Sequence, residues 1–335
     1  MDCCKGICIV LVVFGYVTGG LEAAKALSAD SIFLTLRTWV YLFHMPAFFL
    51  LSGLFAGKAV GRPWRALFQN KTRTLVYPYI LWTGIYLASQ ILLVRYVNNP
   101  PNIGRALHLL WEPYGYGLWF LYSLFLISMM FHLLLVAGVR KQILLLTAVA
   151  FHLGAWFNAF AFWPILNTAM LNLIFFAVGS IYVEKISASL PSVNRMKLIA
   201  AGMVLLGLMT IIFAMPNYAK LPLGLTTALL GIVGIIALSH GLIGLAVGRF
   251  FSVLGFYSLE IYLGHPLCST AARAVWSRIG ISSEFLMVLF IVSAGVFVSL
   301  AIALLCQKLQ FPYLFRWPQF HLKPSIERES DLCTK

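Results

Sequence analysis

Ten runs of about 17 to 25 predominantly apolar residues, the length at which a helix crosses a bilayer, constrain this chain more than any other feature. They extend over Gly6 to Gly20, which is short, Trp39 to Gly57, Leu75 to Val97, Gly117 to Ala137, Ile143 to Phe162, Ile165 to Val183, Leu198 to Met215, Leu223 to Leu242, Phe250 to Ala271 and Phe285 to Gln307. In lipid, such a segment must satisfy its own backbone N–H and C=O groups, and a helix does so within one segment. The expected fold is therefore all-α: a polytopic membrane protein built as a bundle of about ten transmembrane helices. Composition agrees, with 61% hydrophobic and 10% charged residues, where soluble domains carry about a quarter charged.

The formal net charge of +14 does not point to nucleic acid, because the basic residues lie between apolar segments instead of on one face or tail. That pattern suits loops beside anionic membrane lipids. Placing the N-terminus inside puts Lys5, Lys58, Arg62, Arg65, Lys71, Arg73, Arg140, Lys141, Lys185, Arg195, Lys197, Arg249 and the C-terminal tail on the cytoplasmic side. Lys25, Arg37, Arg95, Arg105, Lys220, Arg273 and Arg278 then lie outside. With an even helix count both termini are cytoplasmic.

No repeat or soluble domain is evident. Residues 1–307 read as one transmembrane domain and 308–335 as a short cytoplasmic tail. The longest outer connection, from Arg95 to Gly117, carries Trp111, Tyr114 and Tyr116, which could cap a cavity or serve as interfacial belt residues. The six cysteines lack paired CxxC spacing with matching histidines, so no metal site or disulfide framework is expected. Cys3 and Cys4 stand at a membrane edge, where small apolar packing is favoured over lipidation.

Ionisable side chains within spanning helices are costly and mark places where chemistry can sit. In "YLFHMPAFFLLSG", His44 stands two residues before Pro46, which is expected to kink the second helix and free carbonyls there. In "LGFYSLEIYLGHPL", Glu260 falls at mid-membrane depth and His265 precedes Pro266. Five residues separate Glu260 from His265, a rotation of roughly 140°, so one dyad is not expected. Each of these groups could also be a hydrogen-bonded packing residue. Lys5 and Tyr16 lie on nearly one face of the first helix, about 16 Å apart. Tyr16, His44 and His265 come out in the outer half of the bilayer, while Lys5, Arg62, Arg65, Lys71 and Arg73 gather at the inner mouth. Two such ends suit a phosphate-bearing donor inside and an acceptor reached from outside.

Several elements, in order, resemble the membrane-bound acyltransferase 3 family, in particular its branch related to sugar (fucose-type) O-acetylases. "DCCKGICIVLVVFG", "FHMPAFFLLSG", "KTRTLVYPYILW", "LWFLYSLF" and "YSLEIYLGH" carry the resemblance, which runs from Asp2 to about Gln307. It implies a ten-helix enzyme in the plasma (inner) membrane, bacterial in setting. Such an enzyme passes an acyl group, usually acetyl from acetyl-CoA, to a hydroxyl of a carbohydrate, lipid-linked glycan or other envelope acceptor. It also implies residues upstream of Asp2 and a catalytic histidine in a Gly-His pair on the first helix. Here that pair reads Gly15-Tyr16.

Acyl transfer to a hydroxyl needs a base, which histidine supplies near neutrality; tyrosine, with a pKa of about 10, serves better as a hydrogen-bond donor. On this resemblance His44 is the expected base and His265 the second candidate. Tyr16 becomes an orienting donor, Glu260 a polarising or substrate-binding carboxylate, and Lys5, Arg73 and Lys71 the holders of the CoA phosphates. No metal is expected. Two other readings stand beside it: a transporter or flippase for an envelope glycan or lipid, and a relative impaired in catalysis by Tyr16. The residues do not specify an oligomeric state.

Overall fold

In a computed structural model, described for residues 1–57, 63–92, 117–189, 193–218, 220 and 223–317, every regular element is helical and no strand occurs among the described residues. In chain order the α-helices are α1 (Asp2–Ala23), α2 (Ile32–Tyr41), α3 (His44–Gly57), α4 (Trp64–Lys71) and α5 (Tyr77–Leu92). They continue as α6 (Trp119–Val136), α7 (Lys141–Trp156), α8 (Pro164–Ser189), α9 (Arg195–Phe213) and α10 (Leu223–Gly241). The last three are α11 (Ala246–Phe256), α12 (Ser258–Ile279) and α13 (Glu284–Lys308). Eight candidate spans are long and apolar enough to cross a membrane: α1, α2 with α3, α4 through α5, α6, α8, α9, α10 and α13. The apolar helices α7 and α11 are shorter, and α12 carries Glu260, His265, Arg273 and Arg278. The protein is a multi-pass membrane protein.

Two expected spans are broken and a third is continuous but distorted. The run from Trp39 to Gly57 breaks at Leu42 and Phe43, so His44 opens α3 and Pro46 sits in its first turn. There the missing N–H of proline costs nothing, because first-turn amides lack intrahelical partners anyway. The break before His44 replaces the expected kink at Pro46. The run from Phe250 to Ala271 divides at Tyr257 into α11 and α12. The third span begins earlier than Leu75 and passes through a π-helical turn, Thr72–Val76, ahead of Pro78. The extra residue in that turn accommodates a helix whose next amide is missing. Lys58, Arg62, Arg95, Arg105, Trp111, Tyr114 and Tyr116 lie outside the described residues.

Small residues let the helices approach backbone to backbone, the usual basis of helix association where lipid removes the hydrophobic drive. A Cβ on Gly53 of α3 would collide with the Phe176 carbonyl of α8, and one on Gly179 would collide with the Leu50 carbonyl. Gly6 of α1 and Gly255 of α11 stand in the same reciprocal relation, each against the other helix's carbonyls at Phe251 and Asp2. Cys3, Cys4 and Cys8 are buried near this second crossing as small packing residues.

Residues 309–317, beyond the expected domain end at 307, pack onto the bundle. Phe315 is buried and stacks on Trp82 at 5.7 Å, the Trp82 indole donates to the Leu314 carbonyl at 2.8 Å, and the Tyr77 hydroxyl donates to the Tyr313 carbonyl at 2.7 Å. This strap ties the end of α13 to α5.

The glycine crossings give a contrast that unfolding in detergent can read. Gly53→Val is expected to abolish the monodisperse folded species or lower its thermal midpoint sharply, because the obstruction is backbone. Gly84→Val, where an added Cβ meets nothing within 4 Å, is expected to keep the native midpoint.

Candidate active site

Proline shapes the local backbone at both histidines. Pro266 lies inside α12 and has no N–H, so the carbonyl of Tyr262, four residues earlier, loses its helical donor. The His265 ring supplies one: its Nδ1 lies 2.8 Å from the Tyr262 oxygen and 3.2 Å from that of Ile261. At the α2–α3 break, His44 Nδ1 lies 2.7 Å from the Val40 carbonyl. A carbonyl oxygen only accepts, so in both rings Nδ1 carries the proton and Nε2 holds the lone pair. Both histidines are buried, at 2% exposure.

Between them runs the Gly15–Tyr16 pair of α1. The Tyr16 ring meets His265 edge-on with centroids 5.0 Å apart. On the other side Tyr41 meets His44 in the same manner at 4.8 Å. The Tyr41 ring lies over Gly15, where a Cβ would come 2.6 Å from ring carbon Cε2. Only glycine leaves room for that contact. Thr270 and Arg273 of α12 neighbour the Tyr16 phenol.

A third wall comes from the residues opening α6. Gly117 has φ +72°, and its Cα faces the Tyr16 ring, with a Cβ there placed 3.6 Å from Cε2. That left-handed conformation suits glycine. The Gly117 carbonyl accepts the Tyr262 hydroxyl at 2.5 Å, and Tyr262 also lies 6.0 Å from His265 and 5.8 Å from Phe120 between ring centroids. The Tyr86 hydroxyl of α5 donates to the Leu263 carbonyl, another backbone acceptor in the turn before Pro266.

Directly beneath this cluster is a cavity of about 230 Å³ between α1, α3, α6 and α12. Lys5, Ile9 and Val12 line it from α1, and Met45, Phe48, Leu51 and Ser52 from α3. Phe120 contributes from α6, and Ser258, Leu259 and Tyr262 from α12. From Lys5 to Val12 the cavity extends about 10 Å along the helix axis. At its far end each wall carries its polar or glycine residue within about one turn of the residue that closes the cavity. Tyr16 follows Val12, His44 precedes Met45, His265 follows Tyr262, and Gly117 precedes Phe120. The lining is apolar except for Lys5, Ser52, Ser258 and the Tyr262 hydroxyl.

The structure thus brings Tyr16 against His265, sets His44 across the Tyr41 ring from Gly15 of the same helix, and places Lys5 at the opposite end of the cavity, where its ammonium also pairs with Asp2 at 3.1 Å. Lys71 is half-buried where α4 meets the π-helical turn, and Arg73 is exposed on that turn. Neither lines the cavity. Glu260 stands apart from the histidines, as the five-residue spacing predicts. It lies in the first turn of α12, is 6% exposed, and faces Arg316 of the C-terminal strap at 3.5 Å. It lines a separate cavity of about 130 Å³ with Tyr257, Gln307, Pro312 and Phe315. One residue of helix is 100° of rotation, which is why Leu259 faces the larger cavity and Glu260 the smaller. Among the described residues no three His, Cys, Asp or Glu side chains form a group able to hold a metal ion.

Tyr41, Gly117 and Tyr262 complete the site and were not singled out from the sequence. Tyr262 had a usable signal, standing three residues before His265 and so on nearly the same helical face. Gly117 did not, because its role depends on a loop entering the bundle beside α1.

The hydrogen-bond geometry has a spectroscopic consequence. Nitrogen chemical shifts of His44 and His265 are expected to show the Nδ1–H tautomer with unprotonated Nε2. In Pro266→Ala a restored backbone N–H competes for the Tyr262 carbonyl, and the His265 tautomer becomes mixed while His44 is unchanged. An Nε2–H tautomer in the native protein would contradict the geometry.

The family model described as an acyltransferase domain, that of the acyltransferase 3 group, matches residues 1–306. Comparison with curated proteins and with solved structures gives no match.

Proposed function

Because the chain belongs to the acyltransferase 3 family and is an integral-membrane acyltransferase, we propose that its donor is an acyl-CoA, with acetyl as the group moved. The acceptor is a hydroxyl of a sugar, polysaccharide or lipid-linked glycan of the cell envelope, and the setting is the bacterial plasma membrane. The observation that carries this reading is the cavity leading from Lys5 to a point just beneath Tyr16, His44 and His265. A thioester on a slender arm fits such a cavity, with its phosphates near Lys5 and its carbonyl toward the histidines. Lys71 and Arg73, on the turn entering α5, serve the phosphates outside the cavity proper. The acceptor reaches the cluster from the end opposite Lys5.

His44 acts as the base in this scheme. Its Val40 bond holds Nε2 unprotonated, and Met45, the next residue, closes the cavity. His265 has the same tautomer but is covered by the rings of Tyr16 and Tyr262, which suits a positioning role. As the acceptor oxygen attacks the thioester carbonyl, its proton passes to His44 Nε2. When the intermediate collapses, the C–S bond breaks, the acyl group stays on oxygen, and the CoA sulfur leaves with that proton. The Tyr16 phenol donates to the oxygen that becomes negative in between, the kind of contact that lowers such barriers most. Glu260, paired with Arg316, steadies the start of α12 instead of touching substrate.

Label transfer from acetyl-CoA in isolated membranes tests the scheme. His44→Ala is expected to lose about 10²- to 10⁴-fold in rate, as removal of a general base does, with His265→Ala reduced less and Tyr16→Phe weakened through its lost donor. Transfer by Tyr16→His alone, with none by the native chain, would instead identify a family member disabled at that position. Undiminished transfer by His44→Ala would remove His44 from the role of base.

A further inference from the structure

The cavity stops beneath the histidines without opening onto them, so something at that end decides what reaches them. Its closing residues are Val12, Met45, Phe120 and Tyr262. Three of these are fixed. Val12 is branched at Cβ on a helix, which leaves it essentially one rotamer. Phe120 is packed among the rings of Phe48, Phe49 and Tyr262 at 5.8, 4.9 and 5.8 Å. Tyr262 is tethered through its hydroxyl to the Gly117 carbonyl. Met45 differs in kind: it is an unbranched thioether with three rotatable bonds, 7% exposed, in the first turn of α3 beside His44.

Resting on the acyl-CoA reading above, we propose that Met45 sets the length of the acyl group the protein accepts. Its side chain fills the space under His44 into which an acyl chain must extend once the thioester carbonyl has come up the cavity. A methyl-sized group shares that space with the thioether, and each further methylene competes with it.

The experiment measures displacement of labelled acetyl-CoA by acetyl-, propionyl- and butyryl-CoA from the purified full-length protein in nanodiscs. Native protein and Met45→Leu are expected to weaken by roughly tenfold per added methylene, the usual discrimination of a close-fitting apolar pocket. Met45→Ala is expected to bind all three within about threefold of one another. Met45→Phe, which enlarges the side chain instead of removing it, is expected to bind free CoA but to lose acetyl-CoA. Equal binding of the three donors by native protein, or the native ranking preserved in Met45→Ala, would overturn the role of Met45 while leaving the donor reading in place. No binding of any acyl-CoA by native protein would overturn the donor reading and this inference with it.

Discussion

The bilayer interior offers no water to a backbone carbonyl, and the site is organised around that constraint. Proline removes the amide that would have met the Tyr262 carbonyl, and the break between α2 and α3 leaves the Val40 carbonyl a 3.2 Å bond from the Phe43 N–H in place of the regular helical one. In each case a histidine ring takes up the bond, at 2.8 Å from Tyr262 and 2.7 Å from Val40. The same contact that satisfies the backbone also fixes the ring's tautomer and leaves Nε2 with its lone pair. Fold and chemistry are joined in one hydrogen bond at each position. Replacing His265 therefore removes more than a titratable group, since it takes the ring donor from the Tyr262 carbonyl in an apolar medium.

Close glycine crossings decide where empty space can exist. Gly53 against α8 and Gly6 against α11 bring those helix pairs to backbone contact, leaving no room between them. The cavity forms on other faces of α1 and α3, where larger side chains such as Phe48 and Phe120 stand between the helices. Gly15 applies the same principle at the site itself by admitting the Tyr41 ring. The C-terminal strap adds a further tie, carrying Phe315 onto Trp82 and Arg316 onto Glu260.

Much of this was legible in the sequence because apolar length and proline position act locally. The helical membrane architecture, the common end of Tyr16, His44 and His265, and the separation of Glu260 from His265 all follow from helix periodicity. The breaks at Leu42–Phe43 and at Tyr257 were not legible, since apolar runs continue through both. Glu260, read as the middle of an unbroken Phe250–Ala271 helix, stands instead in the first turn of α12, which begins two residues before it. Gly117 and Tyr41 belong to the site through contacts between segments far apart in the chain. The packing of 309–317 was hidden in a stretch whose charges and prolines read as a tail.

The central claim is that the cavity between α1, α3, α6 and α12 holds the acyl donor with its reactive end beneath Tyr16, His44 and His265. Photolabelling with an acyl-CoA carrying a diazirine at the acyl terminus, followed by peptide mapping, tests it most directly. Label is expected at Val12, Met45 or Tyr262, lost when unlabelled acetyl-CoA is added in excess. Competable label confined to helices that do not line this cavity, such as α7, α9 or α10, would contradict it.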